Sequence, residues 1–330
     1  MALEGLFLGV DSGNSKTVAL VARADGRVVG WGRGGGGDIY VSEADAVAAV
    51  TEAVEGALAA AGVGVSALTA SCLSLVGADW LEDFDFWRLE AQRRGYPQVL
   101  VVNDAIGALR AGTAGDGVAV VCGTGAAIGA RRGGMVWHSS FWQEPMGGAV
   151  LGERALRLIY RAELSLGPAT LLTDKVLAYF DLPTVEAVLH RLTARRTRGL
   201  GGAGVAALAR LLLDAAAEGD EAARFEVASA AVTLAEYAWV AACKVGLQGP
   251  FPLVLAGGVL RHPSLLLREA LVTHLKTRLP YARPIITPFE PVVGALLLAL
   301  ELAPGASQPS PEEFTDTLTQ TLPEAAFFST

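Results

Sequence analysis

The sequence is poor in the residues that build metal clusters and disulfide frameworks. Its 330 residues include three cysteines and four histidines, and none stands at the short spacing typical of a zinc or iron–sulfur site. We interpret Cys72, Cys122 and Cys243 as small core residues of a protein from a reducing compartment. A metal site built on histidine or cysteine is therefore not expected.

Charged residues and long apolar runs are also scarce. Charged side chains make up 18% of the chain, and the formal net charge is -8, with no basic run to attract a nucleic-acid backbone. Asp11 interrupts the first apolar run, no basic segment precedes it, and the pattern is therefore not a signal peptide. The apolar stretch from Val292 to Leu300 is shorter than the roughly 20 residues that span a bilayer. We expect a cytoplasmic protein without nucleic-acid or membrane partners.

Apolar residues are abundant, at 52% of the chain, and 330 residues exceed the usual size of a single core. Residues 6–111 read as three strands followed by helix, strand, helix, strand and helix, which predicts a mixed sheet with helices against it. The pattern restarts at 117–122 with two strands around a glycine turn, and residues 151–247 read as mostly helical. The sequence therefore predicts an α/β protein with domains at 1–112 and 113–303, the second with a helical insertion, and a loosely packed tail at 304–330.

The chain is organised around a strand, a tight polar turn and a second strand at residues 6–22. Gly13, Lys16 and Thr17 are similar to parts of a P-loop, but Ser15 stands where that motif has glycine, and β-branched residues follow instead of a helix. A strand that ends in a carboxylate and a small polar turn can hold a hydrated cation and offer backbone N–H groups to phosphate. The alternative is a hairpin with a merely polar tip.

Other small and acidic residues follow later strands. Ligands of such sheets bind at the carboxyl ends of strands, where Asp11, Gly77 and Asp104 are all expected. Two further glycine-rich segments are also expected to be loops, namely 32–37, which leads to Asp38, and 191–204, which is rich in arginine as well.

Five stretches, taken in order, resemble the phosphate, connecting and adenosine motifs of the superfamily of sugar kinases, heat-shock ATPases and actin. They are Gly9-Val10-Asp11-Ser12-Gly13-Asn14-Ser15-Lys16-Thr17, Asn103-Asp104-Ala105, Gly123-Thr124-Gly125, Leu255-Ala256-Gly257-Gly258-Val259 and Pro288-Phe289-Glu290-Pro291-Val292-Val293-Gly294-Ala295. Within it, residues 6 to about 300 resemble the BadF/BadG/BcrA/BcrD ATPase family, which includes N-acetylglucosamine kinases.

The resemblance implies two ribonuclease-H-like domains of the actin-like ATPase type, with ATP and Mg²⁺ in the cleft between them. Asp11 would hold Mg²⁺ through water, since that ion keeps much of its hydration shell. The resemblance makes Asp104 the general base that accepts the proton of a sugar hydroxyl; the alternative is that Asp104 only caps the next helix. The other residues expected at the nucleotide are Gly13, Asn14, Ser15, Lys16, Thr17, Gly123, Thr124, Gly125, Gly257 and Gly258.

The acceptor region departs from the family pattern. Sugar kinases of the family carry Gly-Asp-Glu-Gly-Ser after the second phosphate motif, and this element is replaced or deleted in residues 142–156. An asparagine expected in the first glycine-rich loop is also missing. We predict that Asp38, Gly77, Gln143 and Glu144 contact the substrate. A carboxylate in place of that amide favours an amine or hydroxyl over an acetamido carbonyl, and hence a free amino sugar over an N-acetylated one.

Three functions remain open at this point. The first is an ATP-dependent kinase for a hexose or amino sugar of the N-acetylglucosamine or glucosamine class, a small-molecule partner. The second is an ATPase that activates a partner enzyme, as the dehydratase activators of the family do with bridging cysteines. The third is a sugar or nucleotide sensor without turnover. The family also suggests a homodimer, which nothing in the residues themselves indicates.

Overall fold

The computed structural model describes residues 5–195, 202–287, 289–303 and 311–322, and its first half contains a five-stranded sheet. The strands lie in the order β3-β2-β1-β4-β5. The first three run antiparallel, and β4 and β5 continue parallel to β1. Their bounds are β1 Leu6–Ser12, β2 Thr17–Arg23, β3 Val28–Gly34, β4 Leu68–Leu75 and β5 Val99–Asn103.

The second half repeats this topology. Its sheet has the order β10-β9-β6-β7-β8, with β6 central, β7 and β8 antiparallel to it, and β9 and β10 parallel. The bounds are β6 Gly117–Cys122, β7 Ala126–Arg132, β8 Met135–His138, β9 Phe251–Ala256 and β10 Ala282–Ile286. The predicted internal duplication is therefore confirmed, although the sequence interpretation missed β8 and β10, which are short strands at the two edges.

Helices cover both sheets, and five of them (α4 to α8) lie between β8 and β9. The described helices are α1 Glu43–Ala61, α2 Leu81–Arg93, α3 Asp104–Gly112, α4 Gly148–Glu163, α5 Leu172–Phe180, α6 Val185–Thr193, α7 Gly202–Ala217, α8 Glu221–Lys244, α9 Leu266–Lys276, α10 Pro291–Glu301 and α11 Pro311–Thr321. The loop predicted at 191–204 is shorter than expected, because α6 extends to Thr193 and α7 begins at Gly202. Residues 196–201 lie outside the described residues. Among the described helices, none combines the length and hydrophobicity needed to cross a bilayer.

The glycine-rich segment after β2 is only partly a loop. Residues 32–34 belong to β3, and the loop starts at Gly35. Alternate glycines of β3 lie directly against the backbone of α1, so that an added Cβ would fall 2.1 Å from a carbonyl oxygen of that helix. The pairs are Gly30 with Ala57, Gly32 with Ala53 and Gly34 with Ala49. Small residues here bring strand and helix together, which a count of glycines alone does not reveal.

The end of the chain packs onto the first sheet. In α10, Leu296 approaches β1 so closely that a Cβ on Gly9 would lie 2.4 Å from its backbone nitrogen, and a Cβ on Gly294 would lie 1.8 Å from the Gly107 oxygen of α3. Gly294 therefore has a packing role between α10 and α3. In α11, Leu318 is buried and Thr321 accepts a hydrogen bond from the backbone of Val28, so loose packing is a wrong prediction for that part of the tail. The domain boundaries at 112/113 and 303/304 stay predictions.

The contact of β3 with α1 gives a test of the fold. Gly32→Ala should destabilise the protein by about 1–3 kcal/mol, because the new methyl group meets helix backbone that cannot move aside. Gly204→Ala in α7 is the control, since a Cβ there meets nothing within 4 Å and alanine favours a helix. Denaturant unfolding measures both variants. Equal stability of Gly32→Ala and wild type would contradict the close approach.

Candidate active site

The turn between β1 and β2 is closed by its own backbone. Gly13 N–H donates to the carbonyl of Lys16 at 2.9 Å, while Asn14 and Ser15 lie exposed at the tip. The Thr17 hydroxyl is buried and already bonded, at 2.9 Å to Ser12 Oγ and at 2.9 Å to the carbonyl oxygen of Gly35. Thr17 therefore ties the turn to the glycine loop, and the tip residues are the ones that face outward.

The turn between β6 and β7 has the same form. Gly123 N–H donates to the Gly125 carbonyl at 2.9 Å, and the first N–H groups of α4 hold the turn from behind, Gly148 to Gly123 at 2.7 Å and Ala149 to Thr124 at 2.9 Å. Gly147 must be glycine, because its φ is 103° and a Cβ would lie 2.3 Å from Gly125. The N-terminus of α4, with its positive dipole end, thus supports the turn.

The two turns face each other across the gap between the sheets. The Ser15 hydroxyl donates to Thr124 Oγ1 at 2.9 Å, although 109 residues separate them in sequence. An added Cβ on Gly125 would lie 2.8 Å from the side-chain amide of Asn14. The structure therefore brings together Gly13 to Lys16 and Gly123 to Gly125, two sets of predicted nucleotide residues.

Two acidic side chains lie beside these turns, at the carboxyl edge of the first sheet. The pKa of Asp11 is raised to about 8, chiefly by burial and then by the charges of Asp104 and Glu290, with Lys16 opposing the shift. The pKa of Asp104 is raised to about 7, chiefly by burial and then by the charges of Asp79 and Asp38, with two backbone N–H groups opposing the shift. Both carboxyl groups are thus poised to exchange protons near neutral pH.

Asn103, not Asp104, is the residue that caps α3. Its side-chain oxygen accepts from Ala105 N at 3.1 Å, and Asp104 is the first residue of the helix. The carboxylate of Asp104 still receives backbone N–H groups at that end, where a helix stabilises negative charge. The alternative in which Asp104 serves only as the cap therefore loses its main support.

Asp79 is a site residue that the sequence interpretation missed. Its Oδ1 accepts from the Asn103 amide at 2.9 Å and from Ser140 Oγ at 2.6 Å, and Ser140 Oγ is also hydrogen bonded to His138 Nδ1. Burial raises the pKa of Asp79 and lowers that of His138. Ser140 has a left-handed backbone with φ 40°, a conformation that a non-glycine residue adopts under constraint. This network connects the two halves of the chain directly behind Asp104.

The predicted acceptor residues differ in their availability. Asp38 Oδ1 accepts from Tyr40 N at 2.9 Å, and a Cβ on Gly77 would lie 3.1 Å from the same oxygen. The charge of Asp38 also raises the pKa of Asp104, so Asp38 lies within electrostatic reach of Asp104 and Gly77 lies beside Asp38. The amide of Gln143 is already occupied, because it accepts from Ser139 Oγ and donates to the carbonyl of Ala126 at 2.6 Å. Glu144 is exposed.

The turn after β9 lies against the second sheet. Gly257 has φ 92°, and a Cβ there would lie 2.4 Å from the carbonyl oxygen of Cys122, so this glycine is required by the backbone. Gly258 is open, and Arg210 of α7 has the nearest atom to a Cβ placed there, at 4.0 Å. Gly258 therefore fits the prediction of a bare surface for a ligand ring, whereas Gly257 has a packing role. Pro288 lies outside the described residues.

The raised pKa of Asp104 makes stability depend on pH. The unfolded chain releases this proton near pH 4, and the folded chain near pH 7. Between these values the folded state binds more protons, so that its stability falls as pH rises. Asp104→Asn removes this loss. Between pH 4 and pH 8 its free energy of unfolding should therefore rise relative to that of wild type by on the order of 2–4 kcal/mol.

Urea unfolding without nucleotide or divalent metal measures this difference. Asp174→Asn, an exposed position on α5, is the matched control, and its difference from wild type should not change with pH. If the difference in free energy of unfolding between Asp104→Asn and wild type is constant with pH as well, the raised pKa of Asp104 is contradicted.

Comparison with known proteins agrees with the geometry. The chain resembles a proposed N-acetylglucosamine kinase from Chromobacterium violaceum, with 25% identity, a TM-score of 0.66, and coverage of 89% of this chain and 99% of that one. A proposed N-acetylglucosamine kinase from Porphyromonas gingivalis is 18% identical, with a TM-score of 0.65 and coverage of 89% and 99%. No curated protein matches the sequence significantly.

A ROK family glucokinase from Streptomyces griseus, solved with glucose and AMPPNP, is 20% identical over 90% of this chain and all of that one, with a TM-score of 0.57. These likenesses confirm the predicted fold of two actin-like ATPase domains. The family model described as the BadF/BadG/BcrA/BcrD ATPase family matches residues 8–299. With nearly the whole chain matched, the protein belongs to the BadF/BadG/BcrA/BcrD ATPase family.

Proposed function

We propose that this protein is an ATP-dependent kinase that phosphorylates a hydroxyl group of a hexose or amino sugar. One observation carries the proposal: two phosphate-type turns meet at the Ser15–Thr124 hydrogen bond, beside a carboxyl group whose pKa is about 7. Phosphoryl transfer needs hydrogen-bond donors around the phosphates and an oriented acceptor hydroxyl. The two turns offer the donors, and the carboxyl group can orient the hydroxyl. The sugar kinases with the same fold support the acceptor class.

ATP is the donor, in keeping with the family. Backbone N–H groups of residues 14–16 and 124–125 bind its phosphates, since those of Gly13 and Gly123 close their own turns, and the ammonium group of Lys16 adds a positive charge. The adenine ring lies at the open surface of Gly258. When ATP binds, Ser15 and Thr124 exchange their mutual hydrogen bond for contacts with the nucleotide. ATP then holds the two halves of the chain together.

Asp11 has the donor chemistry that Mg²⁺ requires. Its carboxyl group faces the charges of Asp104 and Glu290, and a divalent cation offsets this repulsion. Within the described ranges no three His, Cys, Asp or Glu side chains lie close enough to hold a metal ion directly, so we assign Asp11 as a ligand through water. When bound, Mg²⁺ supplies charge neutralisation at the transferred phosphoryl group.

Asp104 acts as the general base. The acceptor hydroxyl donates its hydrogen bond to the Asp104 carboxylate, which takes the proton as the oxygen attacks. A pKa near the working pH suits this role, because the group is then both sufficiently ionised and sufficiently basic. Asn103 and Asp79 orient the base by fixing the first turn of α3.

The acceptor is an amino sugar with a free amine. Asp38 and Asp79 both add negative charge around Asp104, which favours an ammonium group over an acetamido group. The relatives that resemble this chain are described as N-acetylglucosamine kinases, and the loss of the family's acceptor element gives a reason for a different preference. Cys72 and Cys122 are buried, whereas Cys243 is exposed on α8, so its interpretation as a core residue is wrong. The burial of Cys72 and Cys122 leaves only Cys243 for a bridge at a subunit interface, which weakens the alternative of a dehydratase activator with bridging cysteines. A homodimer and a cytoplasmic location stay predictions.

Substitution of the base tests the function. Asp104→Asn should reduce sugar-dependent ADP release by at least about a hundredfold, while binding of a non-hydrolysable ATP analogue, measured by calorimetry, stays within about twofold. Asp174→Asn is the control and should retain turnover. A panel of hexoses, amino sugars and N-acetylated sugars supplies the acceptors. Undiminished turnover of Asp104→Asn, or a panel in which no sugar stimulates ADP release by wild type, would overturn the proposal.

The role of Asp79 predicts a change in the pH profile. Asp79→Asn keeps an oxygen that accepts from Asn103 and Ser140 but removes the charge that raises the pKa of Asp104. The rise of kcat/KM with pH should therefore move to lower pH, by about half to one unit. Asp174→Asn should leave the profile in place. A lower rate with an unmoved profile would mean that Asp79 has only a structural role.

A further inference from the structure

Three aromatic side chains form an exposed surface at the edge of the acceptor region, which we call the aromatic rim: Tyr40, Trp80 and Phe141. The ring of Phe141 meets that of Tyr40 edge to face, with centroids 4.9 Å apart, and lies nearly parallel to Trp80, at 6.3 Å and 7°. All three remain open to solvent, at 50%, 46% and 57% exposure. Exposed apolar surface arranged in this way is typical of a binding site.

The rim is held in place by hydrogen bonds. The Tyr40 hydroxyl donates to Asp83 Oδ2 at 2.8 Å, and the same oxygen accepts from Trp80 N at 2.7 Å. Phe141 follows Ser140, which is fixed to Asp79. Because these anchors limit the movement of the aromatic residues, a ligand that binds them loses little entropy to their ordering.

The rim is continuous with the acceptor region. Tyr40 N donates to Asp38, a Cβ on Gly77 would lie 3.3 Å from the Tyr40 ring, and Trp80 and Phe141 are the chain neighbours of Asp79 and Ser140. Tyr40 and Trp80 come from the first half of the chain and Phe141 from the second. A molecule bound at Asp104 that extends outward therefore meets rings from both halves.

We propose that the aromatic rim binds a second pyranose ring, so that the preferred acceptor is larger than a monosaccharide, namely a disaccharide of amino sugars. This inference rests on the proposed kinase function. A pyranose presents C–H groups on its apolar face, and aromatic faces are negative and attract them. An ammonium group on that second ring gains from the same faces. The rings are continuous with Asp38 and Asp79, whose negative charges suit a cationic sugar.

Kinetic comparison of glucosamine with its β-linked disaccharide tests the proposal. Wild type should phosphorylate the disaccharide with a KM about three- to tenfold lower than that of glucosamine. Phe141→Ala should bring the ratio of the two KM values close to one. Phe225→Ala is the control, because Phe225 is also exposed but lies away from the rim on α8. It is about 18 Å along that helix from Tyr237, the residue of α8 that contacts Trp142 next to the rim. In this variant the ratio of the two KM values should stay as in wild type.

The outcomes separate this inference from the proposed function. If no sugar is phosphorylated, the kinase proposal itself fails. If glucosamine is phosphorylated but the disaccharide is not preferred, or if Phe141→Ala leaves the ratio unchanged, the kinase proposal stands and the rim has no role in acceptor binding. A dimer in sedimentation that Phe141→Asp dissociates would assign the rim to a second copy of the chain and would overturn the inference.

Discussion

The burial of Asp11 and Asp104 next to each other is the constraint on which the site depends. Burial raises the pKa of both carboxyl groups at this sheet edge; the charge of Asp104 adds to the shift of Asp11, and the charges of Asp79 and Asp38 add to that of Asp104. Such a cluster persists only where the surrounding structure compensates. The N-terminus of α3, the cap from Asn103 and the ammonium group of Lys16 each offset part of this cost. A cation and a proton-donating acceptor would offset the rest of this cost.

The duplicated topology explains why the two turns meet. In each half a central strand runs into a glycine turn and returns antiparallel, and the tips touch through Ser15 and Thr124. Behind Asp104, the hydrogen bonds of Asp79 with Asn103 and Ser140 form a second connection between the halves. Any movement of one half against the other therefore alters both the contact between the two turns and the surroundings of Asp104.

Much of the fold was readable from local pattern. Ser42 and Gly62, for example, mark the two ends of α1, because a hydroxyl satisfies the first N–H groups and glycine accepts the left-handed exit. The strands β8 and β10 were missed because edge strands are short and gain their pairing from distant partners. The buried end of the tail was missed because its composition is polar, and among its described residues the contact with the core comes from Leu318 and Leu322.

The sequence by itself indicated the family and the two glycine turns, and through the family resemblance it made Asp104 the candidate base, because the motifs that carry the resemblance are residue types at fixed local spacing. Only the tertiary structure decided that Asp79, Ser140 and His138 belong to the site, that Gln143 is occupied, and that Tyr40, Trp80 and Phe141 form one surface. The physical reason is that these contacts join residues far apart in the chain: 17 positions separate Gln143 and Ala126, and 61 separate Asp79 and Ser140. No local pattern encodes such distances, because they follow from how the two sheets pack.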